Sequence, residues 1–353
     1  MGGDRIGWAL DNELRLTKEM LAFVDFVDLF RCDVIHLVNW TLLCEFPACL
    51  VTGKRIVAHM THDPTVAFAH PKFATASRLV SIWIVRSSRA YELMAGRGLR
   101  VALVPYTVDD RVFYHIPKSD PRLGEIIQRW GIPSDTYLIG SFQRDTEGSD
   151  LRSPKRVKGP DIFADIVKSV YQVYPWVHVV LAGPRRFWLR NRLTELGIPF
   201  TFVGIETEGD DLTTNNLSQA TINLLYNLVD LYLVTSRLEG GPQAVIEAAA
   251  ARCKIISSDV GHAPDVLHPM CIYRSVEEAV NLILQDVESS ILTQTVEYNY
   301  ESVQRYTNRA VAPQWYQVYE ELEKIARISA SEASVLPGLL EVMRRRFVAR
   351  WRR

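Results

Sequence analysis

Ser236-Arg237-Leu238-Glu239-Gly240-Gly241-Pro242-Gln243-Ala244-Val245-Ile246-Glu247-Ala248-Ala249-Ala250 decides the fold. The apolar run Leu231 to Thr235 reads as a buried strand, the glycines and Pro242 as a turn, and the alanine-rich stretch from about Gln243 as a helix. A strand that opens through a glycine turn into a helix is where α/β folds hold anionic ligands, because the first helical amides and the positive dipole end point outward. Two carboxylates frame the turn, Glu239 within it and Glu247 one to two helical turns further on. Carboxylates repel a phosphate but accept hydrogen bonds from sugar hydroxyls. A ligand carrying both phosphate and sugar is therefore expected, with cations for the phosphate supplied from elsewhere in the chain.

Outward from the turn, strands and helices alternate. Asp33–Val38, Lys54–His59, Ser81–Val85 and Val101–Val104 are expected strands of a first half, with a helix over Ser88–Ala95. Arg5–Leu10 reads as a short strand and Glu13–Phe30 as a helix by its apolar spacing. After Pro117-Lys118-Ser119-Asp120-Pro121, a linker by composition, come a helix over Leu123–Trp130 and strands at Tyr137–Ser141, Val177–Ala182, Thr201–Val203, Leu231–Thr235 and Lys254–Ser257. Asp145–Arg156 is a polar insertion before the helix Asp161–Val173. Tyr300–Ile325 reads as a long amphipathic helical region with a kink or break at Pro313. The pattern predicts two doubly wound parallel α/β units: 1–118, then 119–300, a helix over 301–327 packing back on the first unit, and a basic tail over 328–353.

Size and composition agree. At 353 residues the chain exceeds one ordinary core, and 48% apolar with 23% charged residues is a soluble globular balance. A net charge of -1 provides no field for nucleic acid. Five cysteines without a CxxC pair read as reduced residues of a cytoplasmic protein. No apolar run approaches a membrane span, and the start lacks a signal-peptide pattern. Leu339–Arg353 mixes apolar residues with six arginines, which fits either an interfacial helix on an anionic membrane surface or a terminal helix docked on the protein.

The segments together resemble the retaining glycosyltransferases of GT-B fold, in particular the large family usually numbered four. The resemblance rests first on the strand, serine and glutamate pair from Asp230 to Ala248, with seven residues between the glutamates. Supporting it are Gly140-Ser-Phe-Gln-Arg144 and Lys158-Gly159, Leu181-Ala-Gly183-Pro184, Asp259 to Asp265, Thr61-His62-Asp63, and Val104 to Asp109 with Phe113. Only 32 residues precede Asp33, where the family places several strands, so the expectation is a reduced N-terminal domain or a chain that lacks part of it. The resemblance implies two Rossmann-like domains facing across a cleft.

It also implies roles. Arg144 and Lys158 would clamp the leaving diphosphate in place of a metal, since no Asp-x-Asp motif occurs; Arg152, Lys155 and Arg156 compete for the role of Arg144. Glu239, with the amides of Gly240 and Gly241 beside Pro242, would face the transferred sugar, and Glu247 would take the ribose hydroxyls; the other reading of Glu247 is a cap or pair on a helix surface. Ser141 and Gly183 belong to the same donor site. His62 either contacts donor or acceptor, with Asp63 orienting it, or is a satisfied loop histidine; His59, deeper in its strand, is structural. No cofactor or metal is expected, and the nucleotide sugar is a substrate. The expected activity is transfer of a sugar from a nucleotide diphosphate sugar to a saccharide or lipid-linked acceptor with retention, in the cytoplasm or peripherally on the inner membrane face. The other readings are a non-catalytic GT-B-like partner of a transferase complex and, less well matched by the turn, an epimerase.

Overall fold

The computed structural model describes residues 9–344, which form two compact units: 107–307, and the remainder, in which 308–344 joins residues 9–106. Residues 5–8 of the expected Arg5–Leu10 strand lie outside the described residues, and Ala9 and Leu10 begin a helix instead.

The first unit holds a four-stranded parallel sheet in the order β1 (Val34–Leu37), β2 (Arg55–His59), β3 (Ile82–Val85), β4 (Val101–Leu103). Its strands are mostly apolar because both faces are covered; the exceptions are Arg55 and the buried His36 and His59. Ile56 and Ala58 point into one cluster with Trp83, Val85 and Leu43, while Val57, Ile82 and Ile84 point into another with Val311, Trp315, Val318 and Leu322 of the helix Asn308–Glu323. That helix packs beside α1 (Ala9–Met20).

Two expectations are corrected in this unit. The helix expected over Glu13–Phe30 stops at Met20; further on, Asp28 Oδ1 accepts the amides of Phe30 and Arg31 at 2.9 and 3.1 Å and closes a local turn. The break expected at Pro313 falls earlier, at Gln304–Tyr306: Pro313 is inside a continuous helix, and the preceding segment is held where Tyr306 O accepts Val108 N at 2.9 Å.

The second unit holds a six-stranded parallel sheet ordered β10-β9-β8-β5-β6-β7: β5 (Tyr137–Ser141), β6 (Val177–Ala182), β7 (Phe200–Val203), β8 (Leu231–Val234), β9 (Ile255–Ser258) and β10 (Ile272–Tyr273). The strand order reverses between β5 and β8, and such a switch point opens a crevice at the carboxyl ends of the strands. The loops after Ser141 and Val234 both leave from there. Helices α2 (Pro121–Trp130), α3 (Pro160–Val173), α4 (Phe187–Glu195), α5 (Gln219–Leu228) and α6 (Gln243–Ala250) lie along this unit. Gly131 ends α2 in the left-handed conformation at φ 61°.

The Pro117–Pro121 stretch, expected as the boundary, lies within this unit. Asn227 Oδ1 accepts Ile116 N at 2.6 Å and Leu228 O accepts Lys118 Nζ at 2.7 Å, which fastens the stretch to α5 and moves the division to Tyr106 and Thr107.

Candidate active site

The turn after β8 is built against the loop that precedes α3. Thr235 Oγ1 and Gln143 Nε2 each donate to Lys158 O at 3.3 Å, and Arg237 N donates to Val157 O at 2.9 Å. Gly159 is left-handed at φ +63°, and any Cβ there would overlap the Thr235 carbonyl. Arg237 closes the arrangement with a bidentate pair to Asp161 at 2.7 Å for both bonds. Lys158 is thereby delivered to Glu239, and the two form an ion pair. Ser236 Oγ donates to the same Glu239 Oε1 at 2.9 Å.

The loop after β9 supports the turn from another side. A Cβ on Gly261 would lie 2.9 Å from Gly241 Cα and from Pro242 Cδ, so this close approach requires a glycine. His262, fully buried, donates from Nε2 to Pro242 O at 3.0 Å, and Ser258 Oγ donates to Ser236 O at 2.6 Å. The turn carrying Glu239, Gly240, Gly241 and Pro242 is held rigidly on both sides.

Glu247 sits on α6, partly buried. Tyr226 of α5 donates its hydroxyl to Glu247 Oε2 at 3.1 Å, and among the described residues no cation pairs with this carboxylate. Burial pushes its pKa up to about 7, and the Tyr226 bond pulls the other way. Tyr226 is itself fixed by Tyr232, ring centroids 5.0 Å apart, and by Phe142 at 5.3 Å. Tyr226 carried no signal in the sequence, because a tyrosine in an apolar helix reads as core.

At the end of β5, Ser141 Oγ accepts from Arg186 Nη2 at 3.0 Å. Arg186 is fully buried, its Nε 3.2 Å from Asp145 Oδ2; desolvation lowers the arginine and raises the aspartate. Asp145 Oδ1 also accepts Trp188 N at 3.1 Å, so one buried pair ties β5, the arginine loop and α4 together. This cation is a second residue the sequence reading missed, hidden in the doublet Arg185-Arg186 behind Gly183. Gly183 is at φ +86°, with a Cβ position 3.1 Å from Phe142 O. Arg144 is half-buried on the same loop, and its charge is a minor contributor, behind the Arg185 hydrogen bond, to holding the Asp210 carboxyl down. Of its competitors, Lys155 pairs with Glu147 at 3.2 Å, while Arg152 and Arg156 are exposed.

His62 and Asp63 belong to the first unit, directly after β2. His62 is exposed, with Nδ1 3.0 Å from Thr61 Oγ1. Asp63 caps the short helix Pro64–Phe68 by accepting Thr65 N at 2.8 Å. His59 is wholly buried among Glu13, His36 and Arg86. Among the described residues no group of three or more His, Cys, Asp or Glu could hold a metal ion.

Residues 149–288, which include Lys158, Gly183, Glu239 and Glu247, match the family model described as "Glycosyl transferases group 1". Over that segment the chain is similar to the group 1 glycosyltransferases. Among solved structures, Anabaena HepE in complex with UDP-glucose is 18% identical with a TM-score of 0.65, covering 88% of this chain and 82% of its own. The same Anabaena protein in complex with UDP and glucose is 17% identical with a TM-score of 0.65, covering 92% of this chain and 85% of its own. Sucrose-phosphate synthase from Thermosynechococcus elongatus is 16% identical with a TM-score of 0.63, covering 92% of this chain and 82% of its own. These likenesses, with a parallel sheet in each unit, show the GT-B fold. The smaller sheet, of four strands against six, is in the N-terminal unit. No curated protein sequence matches the chain.

Proposed function

We propose that the chain transfers a sugar, with retention of anomeric configuration, from a nucleotide diphosphate sugar to a saccharide or lipid-linked acceptor, as a family-four enzyme. The observation that carries this reading is the ion pair of Lys158 with Glu239, built by two loops at the switch point, in one unit with a tyrosine-held Glu247. A transferase must stabilise charge on the leaving phosphate. The Lys158 ammonium supplies it, supported by Arg144. The Lys158 charge also neutralises Glu239, one of the two carboxylates that would repel a phosphate.

Glu247 accepts the ribose hydroxyls, and Glu239 with the Gly240 and Gly241 amides orients the transferred sugar. His62 is a further candidate for contact with donor or acceptor. The acceptor hydroxyl attacks the anomeric carbon on the face the phosphate leaves, and its proton passes to the departing phosphate oxygen. That step needs no protein nucleophile and no metal.

The complexes of Anabaena HepE with UDP-glucose make UDP-glucose the first donor to try. A nucleotide at a hundredfold excess over its dissociation constant stabilises the folded chain by about 2.7 kcal/mol. The decisive measurement is hydrolysis and transfer across a panel of UDP-, GDP- and ADP-sugars, with melting followed for each. Binding without turnover would favour a non-catalytic partner; no binding at all would remove the reading.

Residues 345–353 of the arginine-rich tail lie outside the described residues. Leu339, Leu340 and Met343 ahead of them are exposed, and the proposed role is peripheral attachment to an anionic membrane surface on the cytoplasmic side. Sedimentation with vesicles of anionic and of zwitterionic lipid tests it. No helix among the described residues is long and apolar enough to cross a membrane.

A further inference from the structure

Helices α3 and α4 pack side by side, and an interface of that kind normally closes on apolar side chains. Part of this one does not. Asp161, Ala164 and Asp165 on α3 and Trp188, Asn191, Arg192 and Glu195 on α4 follow helical spacing, so each set forms one face. With Arg152 from the polar insertion they line a cavity of about 460 Å³. None of Ser141, Arg144, Lys158, Gly183, Glu239 and Glu247 lines it.

We propose that this pocket binds a neutral saccharide. Its volume lies within the range of small-ligand sites, about 300–1,000 Å³. Its chemistry selects the class. Arg152, Arg192 and Arg237, the last through its pair with Asp161, set three guanidinium groups against the carboxylates of Asp161, Asp165 and Glu195. The balance leaves no net charge to attract an anion or a cation, whereas planar carboxylate, amide and guanidinium groups suit paired hydroxyls. Trp188 adds the one large apolar surface, matched to the C–H face of a sugar ring.

The pocket is also organised in advance. The Trp188 amide is fixed by Asp145 Oδ1 at 3.1 Å and Thr146 Oγ1 at 2.9 Å. Arg192 is held by Glu195 at 3.0 Å and Asp161 by Arg237. Arg152, Asp165 and Asn191 make no side-chain hydrogen bond or ion pair among the described residues, and remain available to a ligand. Arg152 lies on an insertion folded back on itself by the bridge Thr146–Pro154. On the activity proposed above, the pocket holds a saccharide away from the donor; its binding is tested without that reading.

The experiment is saturation-transfer difference NMR on the full chain with the methyl α-glycosides of glucose, galactose and mannose and with N-acetylglucosamine, with and without saturating UDP. At least one sugar should give a signal that persists with UDP and weakens at least tenfold in Trp188→Ala. The double variant Asp165→Asn/Asn191→Ala, which removes no large core group, should lose it as well. The melting transition of each variant establishes that it folds. The proposal is overturned by the absence of signal from all four sugars, by displacement with sodium phosphate at constant ionic strength, or by undiminished signal in both folded variants. UDP binding fails or succeeds separately in the same samples, so loss of the donor reading and loss of this one are distinguishable.

Discussion

The Tyr226 hydroxyl donates to Glu247 Oε2 at 3.1 Å, so a neutral phenol and no cation orients the carboxylate proposed to hold the donor ribose. With a pKa pushed up to about 7, Glu247 is close to half protonated at neutral pH. The folded pKa lies above the ordinary 4.5, so the folded chain holds this proton more tightly than the unfolded one. The stability this provides is full below about pH 4.5 and is lost as pH rises through 7. UDP-glucose binding should run the other way, strengthening as the carboxylate forms. Glu247→Gln should flatten both trends relative to wild type between pH 4.5 and 7.5, read by melting and by titration calorimetry. Tyr226→Phe should weaken UDP-glucose binding about tenfold at pH 7.5, the scale of one hydrogen bond to a charged group. Unchanged binding in both variants would exclude Glu247 from the donor site.

The Lys158 pair yields a kinetic prediction. If its ammonium stabilises the leaving phosphate, Lys158→Ala should lower kcat about 10²–10³-fold, as does removal of one preorganised electrostatic donor elsewhere. The ion pair is only partly buried, so the fold should remain within about 1 kcal/mol of wild type. Glu239→Gln removes the same pair but leaves the ammonium, and should lower kcat less than Lys158→Ala. Steady-state kinetics and melting on the three proteins decide it. Equal losses in the two variants would mean the pair acts only as scaffolding.

Gly159 tests the loop that delivers Lys158. At φ +63°, with a Cβ position inside the Thr235 carbonyl, Gly159→Ala must push the loop off β8. Turnover should fall as far as in Lys158→Ala although every polar group is retained. A Gly124→Ala control, whose Cβ position meets nothing within 4 Å, should be neutral. A Gly159→Ala variant with full kcat would show that the delivery of Lys158 does not depend on this contact.

The strands and the glutamate turn were legible because their signals are local. Leu231–Val234 is a short apolar run, and Gly240-Gly241-Pro242 interrupts it with residues that only a turn accommodates. Lys158 was legible for a similar reason, standing beside a glycine and a proline at a helix start. Tyr226 and Arg186 were not, because their partners Glu247 and Asp145 lie 21 and 41 residues away in sequence and meet only through the sheet. The helix end at Met20 was obscured in another way. The apolar spacing continues to Phe30, yet Phe23, Phe26 and Phe30 are exposed, so no buried face rewards a helix there. The division at 106/107 was missed because Pro117–Pro121 has a linker composition but is fastened to α5 through Asn227 and Leu228 O.

The first unit carries a buried network that joins two histidines to Arg86, Glu13 and Tyr319. Arg86 pairs with Glu13, and Glu13 Oε1 lies 2.7 Å from His59 Nδ1. His59 Nε2 lies 2.6 Å from His36 Nε2, and His36 Nδ1 lies 2.9 Å from the Tyr319 hydroxyl. Arg86 Nη2 also lies 2.6 Å from His59 Nδ1, so neutral rings satisfy the chain in two senses: His59 Nδ1 donates to Glu13, His36 to His59 and Tyr319 to His36, or His59 Nδ1 accepts from Arg86, His59 donates to His36 and His36 to Tyr319; either sense has one Nδ1–H ring and one Nε2–H ring. Burial holds both histidines well below 6.5, with each other's and Arg86's charge adding to the effect at His36 and Arg86's at His59. A depressed histidine gives stability that is complete above the unfolded pKa of about 6.5 and is lost as pH falls. The first unit should therefore melt progressively lower below pH 6.5, opposite in sign to the contribution of Glu247 in the second. Glu13→Ala leaves the Arg86 charge buried without its partner and should cost about 3–5 kcal/mol. His36→Gln/His59→Gln should remove the acid sensitivity while lowering stability at pH 8. Nitrogen-15 shifts of the two imidazoles at pH 8 should show one neutral Nδ1–H ring and one neutral Nε2–H ring. A charged ring at that pH, or an acid midpoint unmoved in the double variant, would falsify the assignment.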